Sequence, residues 1–184
     1  MPRSSSETNL ATTGDTPSAK ALGLRLFELA HEALLRSMDE LTESDLWWQP
    51  ADGANSIAWL AWHLSRWKDR FGSGVSGLPQ IWVSEGWYQR FGVDRDRTGL
   101  GDTSDQVAAF KPDRHTLTSY VVAAHEAVVS RVASLDDSSL IQVDSLSANK
   151  DRLVWQGFAN IAMDYLQHTG QVAYLRGMLD RWKG

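Results

Sequence analysis

The chain has 184 residues, no cysteine, and a formal net charge of -5 from 18 basic and 23 acidic side chains. This length suits one domain that buries roughly 70% of its extended surface and needs no disulfide. The lack of cysteine excludes disulfide frameworks, thiolate metal sites and cysteine nucleophiles. The acidic balance argues against a general nucleic-acid-binding protein, which would carry a basic patch.

Hydropathy gives no reason to expect a membrane segment or an export signal. The longest uncharged apolar stretches run about ten residues, half of the ~20 that a helix needs to span a bilayer. The N-terminus has no charged start followed by an apolar run, which is the pattern of a signal peptide. We therefore expect a cytoplasmic protein that binds neither membrane nor nucleic acid.

Apolar residues recur at helical spacing in four long segments. The first residues, 1–15, are rich in Ser and Thr and predict a disordered tail, which leaves 16–184 as one domain. The first predicted helix runs from an N-cap at Thr16, with Pro17 as its first residue, to about Glu40, and a polar turn at 42–45 and a loop at 47–55 follow it. The second long helix covers 56–71 and is ended by the glycines of 72–77; an irregular region over 78–110 then contains a short helix within 78–91 and a loop at 95–102. The third and fourth long helices cover 113–135 and 154–182, and a polar connection over 136–151 joins them.

No segment shows convincing strand alternation. Four long periodic segments without strands predict an all-α fold, a four-helix bundle with a long connection between the second and third long helices.

Four of the five histidines lie on apolar helical stripes, one in each long helix: His31, His63, His125 and His168. For His31 and His125 we favour a core histidine whose ring bonds a backbone carbonyl or water. The fifth histidine, His115, lies near a helix start, where we expect it to be solvated.

Asp164 and His168 are four residues apart and share one face of the last helix. That face is otherwise apolar, and buried polar groups need partners. The pair either bonds to itself or binds a divalent metal, for which His63 of a facing helix supplies a third ligand. Two nitrogens and one oxygen with an open position fit catalytic zinc and non-haem iron equally well.

Two segments carry a resemblance to a known family. Asn55–Arg66, with its helix-borne His63, and His168–Arg176, which begins His-Thr-Gly-Gln, resemble the DinB superfamily of four-helix bundles. Gly86–Gly92 and Thr98–Gly101 are similar to one bacterial subgroup. The resemblance runs from about residue 20 to the end of the chain.

The resemblance implies a divalent metal held by His63, Asp164 and His168. Many relatives have histidine at the position of Asp164, and the related mycothiol-dependent maleylpyruvate isomerases have glutamate there. Zinc is the metal we expect first, with nickel, iron and manganese as alternatives. Characterised relatives activate a low-molecular-weight thiol, mycothiol or bacillithiol, and many pair as homodimers, which we also expect here.

Three functions stay open at this point. The first is a metal-dependent thiol S-transferase or isomerase-like enzyme acting on a small-molecule substrate, with Arg66 and Gln171 flanking the metal. A surface salt bridge for Arg66 and a helix-packing hydrogen bond for Gln171 are the alternative interpretations. The second is a metal-dependent hydrolase, although no spare carboxylate stands beside the ligands as a general base. The third is a non-enzymatic, stress-associated protein that binds a metal or ligand.

Overall fold

The computed structural model describes residues 18–144 and 151–182, with Trp182 described by its backbone alone. The predicted tail, 1–15, lies outside the described residues. Within them the chain is helical, and an isolated bridge joins Val143 to Leu153. The elements are α1 (Ala19–Met38), α2 (Glu43–Trp47), α3 (Ile57–Ser76), α4 (Ile81–Ser84), α5 (Trp87–Phe91), α6 (Ser104–Ala108), α7 (Arg114–Ala133), a 3-10 helix (Asp137–Ile141) and α8 (Val154–Trp182).

The four long helices α1, α3, α7 and α8 pack around one apolar core, which confirms the predicted all-α bundle. Helix α3 packs extensively against both α7 and α8, whereas α1 packs on α8 and only sparsely on α7. Helix α3 is consequently buried around most of its circumference. Over the described residues, no helix combines the length and the apolar character needed to cross a bilayer.

Several predicted boundaries were wrong because local caps decide them. Helix α1 is capped by Ser18, whose hydroxyl accepts a hydrogen bond from the Ala21 amide at 3.1 Å, instead of by Thr16. The polar residues predicted as a turn begin α2, because Thr42 and Asp45 form a reciprocal capping box.

Helix α3 continues past its predicted end at residue 71, through Gly72, and stops only at the last of the glycines that were predicted to end it. A Cβ atom at Gly72 would lie 3.3 Å from the Cα atom of Val128, so Gly72 allows α3 and α7 to approach closely inside a continuous helix. The helix ends at Gly77, which adopts a left-handed φ of 70° and donates its amide to the Ser73 carbonyl at 2.9 Å.

The long connection between α3 and α7 contains three short helices, where a single short helix was predicted. A buried carboxylate on α3, that of Asp69, anchors it by accepting the amides of Ile81 and Trp82 at 3.0 and 2.9 Å. Two guanidinium groups balance the charge of Asp69, from Arg66 at 3.6 Å and from Arg131 at 3.5 Å. The start of the connection is therefore tied to the bundle core.

A polar cluster lies inside the bundle, with one residue from each long helix: His31, Lys68, His125 and Tyr165. The rings of His31 and His125 stack with centroids 3.8 Å apart. The Lys68 ammonium lies 3.4 Å from His125 Nδ1 and 3.9 Å from the centre of the Tyr165 ring. His31 Nδ1 lies 3.2 Å from the Tyr165 hydroxyl. Nδ1 of each of these two histidines thus lies against a side chain of the cluster.

Burial and the nearby Lys68 charge lower the pKa of His31 to about 4 and that of His125 to about 3. Burial also lowers the pKa of Lys68 well below its ordinary value. A histidine whose pKa falls on folding binds a proton more readily in the unfolded chain. Its neutral ring therefore contributes stability that is present above pH 6.5 and is lost as the pH falls toward 4.

We predict that the free energy of unfolding falls between pH 7 and pH 5. The two histidines should account for roughly 1–2 kcal/mol of this loss once solvent screening is allowed for. A His125→Phe variant keeps a flat ring in the stack but cannot bind a proton there. Its free energy of unfolding should therefore fall clearly less than that of the wild type.

Urea unfolding followed by circular dichroism at both pH values measures this difference. The control is His115→Phe, since His115 is exposed at the start of α7. Its free energy of unfolding should fall by as much as that of the wild type between the two pH values. An equal loss in wild type and His125→Phe would contradict the assignment.

Candidate metal centre

The three predicted ligands meet between two antiparallel helices. His63 projects from α3, and Asp164 and His168 project from consecutive turns of α8. One ligand atom from each lies within 4.8 Å of the others, and His168 Nε2 is 3.4 Å from Asp164 Oδ1. Ligands about 2.1 Å from a tetrahedral zinc lie roughly 3.4 Å apart, so small side-chain movements suffice to bind a cation. His63 is buried, while Asp164 and His168 are partly exposed.

The protonation of the His63 ring is decided by the nitrogen that faces away from the site. His63 Nδ1 lies 2.7 Å from the carbonyl oxygen of Thr98. Because a carbonyl can only accept, Nδ1 carries the proton and Nε2 keeps its lone pair. Burial lowers the pKa of His63, and the Thr98 bond only partly opposes this effect. His63 therefore stays neutral, as a metal ligand must be.

His168 is oriented in the same way by its own helix. Its Nδ1 lies 2.7 Å from Gln171 Oε1, the acceptor atom of that amide, so Nε2 is directed to the Asp164 carboxylate. The contact with Asp164 raises the pKa of His168. A bound cation would therefore compete with a proton at this ring. The bond formed by Gln171 stays within α8, so Gln171 contacts a ligand and does not join two helices.

The loop that holds His63 is shaped by a glycine. Gly99 has a φ of 87°, and a Cβ there would lie 2.6 Å from His63 Nδ1 and 2.8 Å from Cζ2 of Trp59. The Trp59 ring stacks on His63 with centroids 4.5 Å apart and donates its indole N–H to Asp102 at 2.9 Å. Asp102 in turn pairs with Arg97 at 2.7 Å. Residues 97–102 thus close over the back of His63.

Arg66 of α3 forms a hydrogen bond to this loop. It is buried at 1% exposure, so the surface salt bridge considered from sequence is wrong. Its Nε atom donates to the Arg97 carbonyl at 3.2 Å, one residue before the carbonyl that holds His63. It also contacts the Asp69 carboxylate, the polar ends of Gln80 and Tyr120, and the face of the Trp82 ring. Arg66 was predicted to flank the metal. In the structure it contacts the loop that holds His63, so any effect on the metal ligands is indirect.

Sequence reasoning missed Thr98, Gly99 and Asp102 as parts of the site. They lie about 35 residues beyond His63, and no helical periodicity places a loop against a helix. The one signal was Thr98–Gly101, which had been noted only for its resemblance to a family subgroup. A carboxylate does lie near His63, but Asp102 is already paired with Arg97 and bonded to Trp59.

Two facing helices present two imidazoles and one carboxylate, with one ligand atom from each within 4.8 Å of the others. This arrangement defines a helical-bundle protein with a candidate mononuclear metal site. A model of the DinB superfamily matches residues 26–172, so the chain belongs to the DinB superfamily.

One solved structure supports the fold assignment. The chain is similar to a conserved protein of Enterococcus faecalis, with a TM-score of 0.76, 23% identity, and coverage of 84% of this chain and 93% of that one. At this level of identity the likeness shows the fold alone. No curated protein matches the chain.

We predict that purified protein binds close to one equivalent of a divalent metal and that His63→Ala and His168→Ala each abolish this binding. Each substitution removes one of three ligands and leaves two, which hold a divalent ion weakly. Elemental mass spectrometry of untagged protein measures the metal content. His115→Ala removes a histidine outside the triad and should keep it. Full metal content in either ligand variant would exclude the triad as the site.

We further predict that Gly99→Ala weakens metal binding by roughly 10–100-fold, the usual effect of disturbing a partner of a ligating histidine. Gly101→Ala is the matched control, because Gly101 has a similar φ of 80° but nothing lies within 4 Å of its Cβ position. Both variants bear the strain of a left-handed alanine, of about 1 kcal/mol. Competition with a chromogenic chelator compares the affinities, and equal weakening in both would mean that backbone strain alone is responsible.

Proposed function

We propose that the protein is a metal-dependent enzyme that transfers a low-molecular-weight thiol, such as mycothiol or bacillithiol, to an electrophilic small molecule, or isomerises a substrate through such a thiol. One observation carries the proposal: His63, Asp164 and His168 each offer a ligand atom within 4.8 Å of the others, and no fourth His or carboxylate of the described residues joins them, so a bound metal would keep coordination positions open. An open position is characteristic of catalytic sites, whereas structural zinc sites use four protein ligands.

Zinc is the metal we propose, with nickel, iron and manganese as alternatives, because imidazole and carboxylate donors accept all of them. When bound, such a cation lowers the pKa of a coordinated thiol, and the thiolate is the reactive form. The chain has no cysteine, so the thiol must come from outside.

Neighbouring residues of the chain would orient the three metal ligands and keep water from the Nδ1 side of the His63 ring. Thr98 and Gln171 accept the Nδ1 protons of His63 and His168, so Nε2 of each ring would face the metal. In the transfer, a sulfur–carbon bond forms, the leaving group departs with its electron pair, and the thiol proton passes to solvent. No group of the protein has to be oxidised or reduced.

Hydrolysis is less well supported, since it needs a general base near the metal ligands. Among the described residues, Asp102 is the carboxylate near His63 besides Asp164 itself, and its oxygens already bond Arg97 and Trp59. A transferase needs no such base if the thiol loses its proton on binding. The homodimer expected from the family stays a prediction.

We predict that zinc-loaded protein with mycothiol or bacillithiol conjugates 1-chloro-2,4-dinitrobenzene faster than the protein-free blank. The chloride is displaced by sulfur, and product absorbance reports the rate. His63→Ala should fall to the blank, because it loses the metal, whereas His115→Ala should match the wild type. Metal-loaded protein that shows no rate above the blank with either thiol, across a panel of electrophiles, would favour the non-enzymatic binding protein.

A further inference from the structure

A cleft lies beside the candidate metal centre, next to Gln171. It has a volume of about 430 Å³ and runs between the loop before α3 and the second half of α8. This volume is within the range of small-molecule sites, which is about 300–1,000 Å³. The lining residues that matter here are Asn55, Leu60, Gln167, Gly170, Gln171 and Tyr174.

The cleft and the triad share a wall. Gln171 lines the cleft, and its Oε1 accepts the Nδ1 proton of His168. Its amide nitrogen takes no part in that bond and stays available to a ligand. Gln167 immediately precedes His168, and Leu60 lies one turn before His63. A molecule in the cleft would therefore lie against the residues that carry and orient the ligands.

The chemistry of the lining restricts what can bind. All of the lining residues are uncharged, and most of the lining surface is apolar. The lining offers no positively charged side chain to an anion, so neutral groups are favoured there. The amides of Asn55 and Gln167 line the cleft and can bond neutral donors and acceptors.

We infer that this cleft binds the neutral, ring-containing part of the electrophilic substrate, an inference that rests on the proposed function. The ring packs on Leu60 and the side chain of Tyr174, and the amides of Asn55 and Gln167 take a neutral oxygen or nitrogen at its edge. The rest of the substrate then extends past Gln171 toward the metal ligands, none of which lines the cleft itself. Substrates whose ring carries a carboxylate are rejected.

Gly170 provides a way to block the cleft without disturbing the bundle. It lines the cleft, and a Cβ there meets no atom within 4 Å, so a larger side chain enters open space. Gly177 lies two turns later on α8, and its Cβ position is equally open, but it does not line the cleft. Leucine also favours the helix over glycine at both positions. Gly170→Leu and Gly177→Leu are therefore a matched pair.

The experiment measures binding of two unreactive probes to zinc-loaded protein by saturation-transfer NMR, with no thiol present. The neutral probe is 4-nitrobenzyl alcohol, and the anionic probe is 4-nitrobenzoate. We expect the alcohol to bind the wild type and Gly177→Leu equally, and Gly170→Leu at least tenfold more weakly. We expect the benzoate to bind the wild type at least tenfold more weakly than the alcohol.

Equal binding of the alcohol by Gly170→Leu and wild type, or equal binding of the two probes, overturns the inference. Contacts between the alcohol ring and the Tyr174 ring, seen as nuclear Overhauser effects in the wild type, test it without any substitution. Their absence when the cleft is saturated also overturns it. Zinc content and helical circular dichroism of the variants confirm that the site and fold are intact.

Failure of the proposed function gives a different result. Probe binding that Gly170→Leu abolishes, together with no thiol transfer by the wild type, would keep the cleft as a neutral-ligand site and remove the enzyme. Thiol transfer that Gly170→Leu leaves unchanged would keep the enzyme and remove the cleft.

Discussion

The carboxylate of Asp69 is the constraint on which the candidate site depends. It lies in the core on α3 and accepts two amides from the start of the long connection, while Arg66 and Arg131 balance its charge. Removing one partner of such a buried ion pair usually costs roughly 3–5 kcal/mol, because the other charge is left unpaired. Asp69 therefore fixes the connection to the bundle, and the loop that holds His63 belongs to that connection.

The candidate metal site consequently has two layers with different origins. The ligand layer, His63, Asp164 and His168, lies on two rigid helices whose packing sets the distances between them. The outer layer, Thr98 and Gln171, decides which nitrogen of each histidine faces the ligand layer. Second-layer partners of this kind commonly change metal affinity by about 10–100-fold, so the loop matters for function although it offers no ligand.

Sequence periodicity was sufficient for the bundle, because the bundle depends on helical faces. The i, i+4 spacing predicted that Asp164 and His168 meet, and the resemblance to the DinB superfamily implied that His63 joins them. The same reasoning could not predict that the 97–102 loop packs on His63 or that Arg66 is buried in the core, since both depend on tertiary packing. It also could not reveal that His31 and His125 stack on each other, because helical faces do not specify which side chains meet across a seam.

The most direct test of this account is long-range 1H–15N NMR of the His63 and His168 rings, recorded without metal and with one equivalent of zinc. The account predicts a protonated Nδ1 on His63 in both states. It also predicts that zinc shifts the Nε2 resonance of both rings and leaves their Nδ1 protons in place. A proton on His63 Nε2, or zinc-induced loss of the Nδ1 protons with Nε2 unchanged, would contradict the assignment of the outer layer and of the metal-facing nitrogens.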